Sequence, residues 1–170
     1  MPDYSAAATY WTSKEPDSKR MPEAELRHAI EEFATSHHVG ALATATADGS
    51  FVRNTPIEYD YFDGAFWMFS EGGQKFRALA TNQHACLAIF DPNPAFTHLA
   101  GMQVTGIATV PEPFSPDYLR ACDRKHIDPE RLRKLPFTMN LIKLEPTRID
   151  VLESAFKEQG YDARQWLDLA

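Results

Sequence analysis

The sequence predicts a mainly β fold, a small closed or partly closed antiparallel β-barrel with flanking helices. Three observations carry that expectation. Apolar residues recur with period two over 39–46, 51–61, 65–70, 84–91, 99–110 and 137–153, as strands with one buried face do. Tight-turn sequences, ADGS at 47–50 and FDG at 62–64, join the early runs into hairpins. The order of elements contains no repeated strand–helix–strand unit, which a parallel sheet would need.

In chain order, residues 1–20 are polar, small and punctuated by proline, and predict an extended or mobile arm. From Pro22 to Ser36 the pattern is helical. Leu26, Ala29, Ile30 and Phe33 share a face, and Pro22 and Glu23 suit a helix start. VGALATAT (39–46) and FVRNTPIEYDY (51–61) read as paired strands, and AFWMFS (65–70) as a third. A helix is expected over about 75–82. HACLAIFD (84–91) reads as a buried strand with Cys86 in the core, and DPNPAFTH (91–98) as a loop. LAGMQVTGIATV (99–110) is a long alternating strand. SPDYLRACDRKHIDPERLRKL (115–135) is helical with a break at Pro129. FTMNLIKLEPTRIDVLE (137–153) predicts two strands divided by Pro146, and DARQWLDL (162–169) a terminal helix. The expected organisation is one domain over 21–170, ending in a helical tail and preceded by the arm.

The bulk numbers set limits. A chain of 170 residues can bury a core without staples. The formal net charge of -7 argues against a nucleic-acid or anionic-membrane partner, which would select a basic face. The two cysteines, Cys86 and Cys122, have no CxxC spacing and no paired histidines, so no metal site is expected. No apolar run is long enough for a membrane span, and the N-terminus lacks an apolar signal core. A soluble, cytoplasmic protein is the expectation.

The stretch FSEGGQKFRAL (69–79) poses the chemical question. Lys75 sits in the first turn of a predicted helix, at the positive end of its macrodipole. Gly72 and Gly73 before it permit backbone angles closed to other residues, and helix-start N–H groups attract anions. Two readings stand: a solvated lysine on a glycine turn, or a phosphate site. Neither a Walker loop nor a GxGxxG fingerprint occurs. A second feature is VRNTP (52–56), in which Pro56 interrupts a strand and points to an edge or bulge, or to backbone groups that face a ligand instead of a neighbouring strand. Arg53 and Thr55 share a face there, and an arginine fork suits phosphate. A third is Gln103 in GMQVTG, whose amide both donates and accepts and can read the edge of a heteroaromatic ring.

In this order and spacing, ALATATADGSFVRNTPIEYDYFDGAFWMFSEGGQKFRALATNQHACLAIFD followed by GMQVTGIATV resembles the pyridoxamine 5'-phosphate oxidase-like, flavin-binding split barrels. The resemblance covers about residues 36–112, and more loosely the strand layout to 154. It implies an antiparallel split β-barrel that binds flavin mononucleotide (FMN) at a homodimer interface. Arg53 and Lys75 would hold the phosphate, with Ser70 and Gln74 adding hydrogen bonds. The stretch Arg53, Asn54, Thr55, Pro56 would run along the flavin. Phe69 stands where the family often has an aromatic residue, and Gln103 matches its ring-contacting glutamine. Trp166 and Arg164 in the tail are candidates for a wall supplied by the second subunit. The resemblance further implies an oxidoreductase acting on a small molecule, with NAD(P)H as a possible electron donor. The alternative is a non-catalytic module carrying flavin, haem or a deazaflavin.

The sequence departs from the oxidase proper. No arginine- and serine-rich substrate segment occurs around 115–135, and the terminal arginine–histidine motif is replaced by KEQGYDARQWLDLA. That puts oxidation of pyridoxamine phosphate itself in doubt and leaves flavin binding untouched. No protein catalytic set is visible. There is no GxSxG elbow, Glu23, Glu25, Glu31 and Glu32 belong to a solvated helix face, and His37 and His38 suit a helix C-terminus. A flavin enzyme needs no such set, because the cofactor carries the redox chemistry.

Overall fold

The computed structural model describes residues 3–93, 95 and 98–169. Part of the expected arm (Met1, Pro2) and part of the 91–98 loop (Pro94, Phe96, Thr97) lie outside the described residues. The helices are α1 (Ser5–Ala8), α2 (Glu23–Ser36), α3 (Lys75–Leu79), α4 (Pro116–Arg124) and α5 (Pro129–Arg133). The strands are β1 (Val39–Ala45), β2 (Val52–Glu58), β3 (Asp60–Phe62), β4 (Ala65–Ser70), β5 (His84–Phe90), β6 (Ala100–Thr109), β7 (Asn140–Glu153) and β8 (Arg164–Asp168).

One antiparallel sheet runs β2-β1-β5-β6-β7-β4-β3, and β8 also pairs with β7. The mainly β expectation holds, and the sheet curls around its own apolar face. Leu42, Leu87, Ile89, Val104, Ile142 and Ile149 line the interior, closed by Leu26 and Ile30 of α2. A smaller cluster under α4 joins Trp67, Tyr118, Cys122 and Leu141. β4 therefore feeds both clusters, Phe66 and Met68 one and Ala65 and Trp67 the other. This is why AFWMFS is apolar on both faces.

β7 is where the barrel splits. Its first residues pair with β4 (Leu144↔Phe66), and its later ones with β8 (Arg148↔Asp168). Pro146 lies at the fork. It does not divide the segment into two strands, as its lack of an N–H suggested; β7 runs unbroken over Asn140–Glu153. The register against β6 shifts between Thr105 and Gly106, leaving Thr147 as the extra residue of a bulge, where proline is tolerated. Gly106 makes the bulge possible: a Cβ there would lie 2.2 Å from the Glu145 carbonyl oxygen.

Four other expectations change. The 51–61 run is two strands, because the Tyr59 N–H turns to His38 O (2.8 Å) and β3 leaves β1 for β4. Cys86 is half-buried on the outer face of β5, since Ala85, Leu87 and Ile89 take the core parity. The C-terminal helix is instead strand β8. Gln165 and Leu167 point inward while Arg164 and Asp168 stay exposed, a period of two that the open flank of β7 selects. The Gln165 amide is satisfied by the Met21 N–H and by the carbonyls of Lys19 and Asp162. Residues 3–18, expected extended or mobile, form α1 and a 3-10 segment (Thr12–Asp17). Asp3 accepts from the Ser5 N–H (2.9 Å) and starts the first turn.

Candidate functional site

Two faces of the sheet carry the residues singled out in the sequence. Directly opposed residues of an antiparallel ladder share a face. Arg53 stands opposite Thr44, and Thr55 opposite Leu42, so both share the parity of buried Ile57, with Arg53 itself exposed and Thr55 half-buried. Asn54 and Pro56 lie on the outer side, across from Ala43 and Ala41. β2 pairs with β1 alone. That is the edge position Pro56 predicted, and it leaves the backbone groups along the other side of β2 without a strand partner.

At the end of β2 the chain builds a cationic corner. Lys75 is 6% exposed. Its Nζ donates to the Gly72 carbonyl at 2.5 Å, and no carboxylate pairs with it among the described residues. Burial lowers its pKa from the usual lysine value, and the positive charge of Arg53 lowers it further. A buried cation beside a second cation is a costly arrangement. The macrodipole adds little, because α3 has five residues rather than the expected eight or so. The turn itself is tightly made. Gly73 has φ +108°, open to glycine alone at low cost. The Ser70 hydroxyl donates to Gly72 O (3.1 Å) and accepts from the Gly72 N–H (3.3 Å). Gln74 is exposed beside Lys75.

Asn140, which the sequence reading missed, clamps this turn from β7. Its amide reaches the carbonyls of Ser70 (3.4 Å), Glu71 (3.5 Å) and Thr138 (3.1 Å). Nothing in its sequence context marks it, since its role comes from pairing with Ser70 across 70 residues. Thr44 was missed too. Its Oγ1 is buried and has no hydrogen-bond partner, and it stands directly across from Arg53. Leaving such a group unsatisfied costs about 1–3 kcal/mol. Phe69 turns the other way, edge-on to Tyr118 at 5.4 Å, and packs under α4.

Gln103 and Trp166 sit on the outer face. One cross-strand row runs Pro56, Ala41, Ala88, Gln103, Asp150, Trp166. The next runs Asn54, Ala43, Cys86, Thr105, Arg148, Asp168. Between Pro56 and Gln103 the floor is made of small residues, over roughly 14 Å at about 4.8 Å per strand. The structure thus brings Arg53, Lys75, Ser70 and Gln74 to one corner, and Asn54, Pro56 and Gln103 to one flat outer surface. Trp166 is at the far end of that surface, with the Arg20 guanidinium stacked on its ring at 3.6 Å.

This layout has known counterparts. The family model described as pyridoxamine 5'-phosphate oxidase matches residues 26–152, well over half of the chain. The chain belongs to that family. Its fold is that of the family's split barrels. Among solved structures it is similar to a heme binding protein from Mycobacterium smegmatis, at 21% identity and TM-score 0.60. That match covers 80% of this chain, which spans only 55% of the other. It is similar to HutZ, the heme storage protein from Vibrio cholerae, at 16% identity and TM-score 0.56 over 70% of this chain and 88% of that one. It is also similar to a FAD-binding protein from Mesorhizobium loti, at 18% identity and TM-score 0.54 over 72% and 89%. A comparison with curated protein sequences gives no match. Among the described residues no helix is long and apolar enough to cross a membrane.

Proposed function

We propose that the protein binds FMN and serves as an oxidoreductase for a small molecule, as a homodimer with two equivalent cofactor sites at the subunit interface. The observation that carries this reading is Lys75, a nearly buried ammonium next to Arg53 with no carboxylate partner among the described residues. Such a corner calls for an anion, and a phosphate monoester supplies two charges and several acceptor oxygens. The unsatisfied buried hydroxyl of Thr44 across from Arg53 supports the same reading.

In this reading Lys75 and Arg53 neutralise the phosphate, while Ser70 and Asn140 keep the glycine turn in shape. Gln74 offers its exposed amide at the same corner. The free edge of β2 from Arg53 to Pro56 lies along the cofactor, and Gln103 orients the ring by hydrogen bonding to its polar edge. The outer surface of Ala41, Ala88 and Pro56 provides a flat apolar floor, and a second subunit supplies the opposite wall. Flavin, when bound, supplies hydride or electron transfer; the chain supplies position, electrostatics and exclusion of water. NAD(P)H is the electron donor that this reading favours. The family's arginine- and serine-rich substrate segment is not recognisable around 115–135 and its terminal arginine–histidine motif is replaced, so the substrate is not taken to be pyridoxamine phosphate.

Similarity to proteins named for heme binding and storage supports a second reading, a cofactor carrier without turnover. His84 lends it a specific feature, because it lies exposed on the outer parity of β5 two positions from Cys86. An absorption spectrum of the purified protein after loading with FMN, a deazaflavin or haemin separates the cofactors. NAD(P)H-dependent bleaching of a bound flavin, followed by reoxidation over many cycles, supports the enzyme. Tight haemin binding that His84→Ala abolishes, with no FMN binding, rejects the flavin reading.

A further inference from the structure

At the other end of the outer surface, Arg148 is held by three carboxylates. Its Nε and Nη2 grip Asp150 at 2.8–3.1 Å, and Nη1 reaches Asp168 at 3.2 Å. Nη2 also donates to Glu15 at 2.8 Å. Asp150 and Asp168 come from the same sheet, whereas Glu15 arrives from 133 residues away. The segment that carries Glu15 buries nothing. Neither α1 nor the 3-10 segment has a buried residue, and Tyr4, Tyr10 and Trp11 are 69%, 50% and 52% exposed. Besides the Glu15 pair, the segment leans on the sheet through Trp11, with the Arg164 guanidinium over its ring at 4.2 Å. Partly exposed ion pairs and cation–π contacts are each weak, so residues 3–18 are a strap held by little.

We propose that Arg148 is an oxyanion site that Glu15 fills in cis, and that the phosphate or carboxylate group of a small molecule displaces Glu15 and releases the strap. The charge balance allows it. Arg20, Arg148 and Arg164 gather here through Trp166, Asp150 and Trp11, against Asp150, Asp168 and Glu15. With Glu15 withdrawn, the patch as a whole holds three cations against two carboxylates, while Arg148 itself keeps both Asp150 and Asp168. Trp11 leaves with the strap and frees Arg164. The exchange is local to the surface that carries Gln103, because Asp150 is the cross-strand partner of Gln103 and Arg148 that of Thr105. A ligand anchored at Arg148 would therefore reach the same surface. The proposal does not depend on flavin binding.

The test uses inorganic phosphate and limited trypsin cleavage after Lys14. In the full chain, phosphate should speed that cut about two- to fivefold beyond chloride at equal ionic strength, the factor expected for exchanging one partly exposed ion pair. Arg148→Gln, which leaves the Lys14–Glu15 bond unchanged, should be cut at the fast rate without phosphate. Phosphate affinity is then measured calorimetrically in an Arg53→Ala/Lys75→Ala background, which removes the other anionic corner. There Glu15→Gln should bind phosphate about two- to fivefold more tightly, and Arg148→Gln should lose the gain. Arg148→Lys, which keeps the charge, stands in if Arg148→Gln melts early, and should bind more weakly because the fork is gone. The proposal is overturned if phosphate acts no better than chloride, or if Glu15→Gln binds phosphate no more tightly. It is equally overturned if the gain persists without Arg148.

Discussion

Replacing Lys75 with methionine separates the cost of the cationic corner from its use. In the apo-protein the change removes a buried ammonium that sits beside Arg53 and substitutes an apolar chain of similar length. It also removes the charge-assisted hydrogen bond to Gly72 O, worth about 1.5–3 kcal/mol. Relief of the buried charge offsets that loss, so apo stability should move by less than about 1 kcal/mol, or about 2–4 °C in Tm for a chain of this size. Binding should behave differently. A charge-assisted hydrogen bond to phosphate is worth about 1.5–3 kcal/mol, so FMN affinity should fall about ten- to hundredfold at about 1.4 kcal/mol per decade. Riboflavin, which has no phosphate, should bind the variant and the parent alike. The assay is a fluorescence titration of apo-protein with each flavin, beside a thermal melt. Unchanged FMN affinity would refute the reasoning. So would an equal loss for riboflavin, which would place Lys75 at the ring, and a Tm drop of more than about 10 °C, which would make the lysine structural.

The same residue gives a pH signature. Its folded-state pKa is lowered below 10.5 by burial and then by Arg53. Between the lowered value and 10.5 the unfolded chain holds a proton that the folded chain has shed. Apo stability should therefore rise with pH across that window, and the contribution should disappear as pH falls through the folded value. Urea melts of the parent and Lys75→Met, compared pH by pH, isolate it; a flat difference would count against a buried, charged Lys75. Gln103→Ala should weaken FMN and riboflavin alike, about two- to tenfold for one neutral hydrogen bond; a loss confined to FMN would contradict a ring contact. Gly106→Ala drives a Cβ to within 2.2 Å of the Glu145 carbonyl and should cost about 1–3 kcal/mol or more, seen as a Tm drop of several degrees; an unchanged melt would mean the bulge yields freely. Light scattering of the flavin-loaded protein should give twice the chain mass, and a monomer that still binds flavin one-to-one would remove the partner wall.

Most of the fold was legible because alternation and turns are local signals. ADGS and FDG fixed two hairpins, and runs such as HACLAIF carried the parity that decides which residues enter the core. What failed depended on partners distant in sequence. DARQWLDL reads as a helix until the open flank of β7 is there to pair with Arg164–Asp168. Pro146 reads as a break until Gly106 opens a bulge opposite it. Tyr59 looks like a residue inside a strand until His38 O claims its N–H.

The candidate site stood out in the sequence for the opposite reason, because its residues break local rules. Pro56 is a poor strand residue and Lys75 a cation at a predicted helix start, and such conflicts point to places where the chain serves something other than its own folding. The residues that stayed hidden break no such rule. Thr44 is an ordinary strand residue whose oddity lies in having no partner once buried. Asn140 is an ordinary turn-side amide until Ser70 is placed across from it. Both stand at the cationic corner, Thr44 opposite Arg53 and Asn140 over the glycine turn that presents Lys75. If the corner is kept for an anion at a cost to the fold, filling it with apolar atoms should stabilise the apo chain. An Arg53→Leu/Thr44→Val/Lys75→Met variant removes two cations and an unsatisfied hydroxyl in one step, and it should melt above the parent in the absence of ligand. With saturating FMN the order should reverse, since ligand binding to the folded state raises stability by mass action and only the parent binds. A variant that melts below the parent in both conditions would show that the corner is part of the scaffold and that the anion reading is wrong.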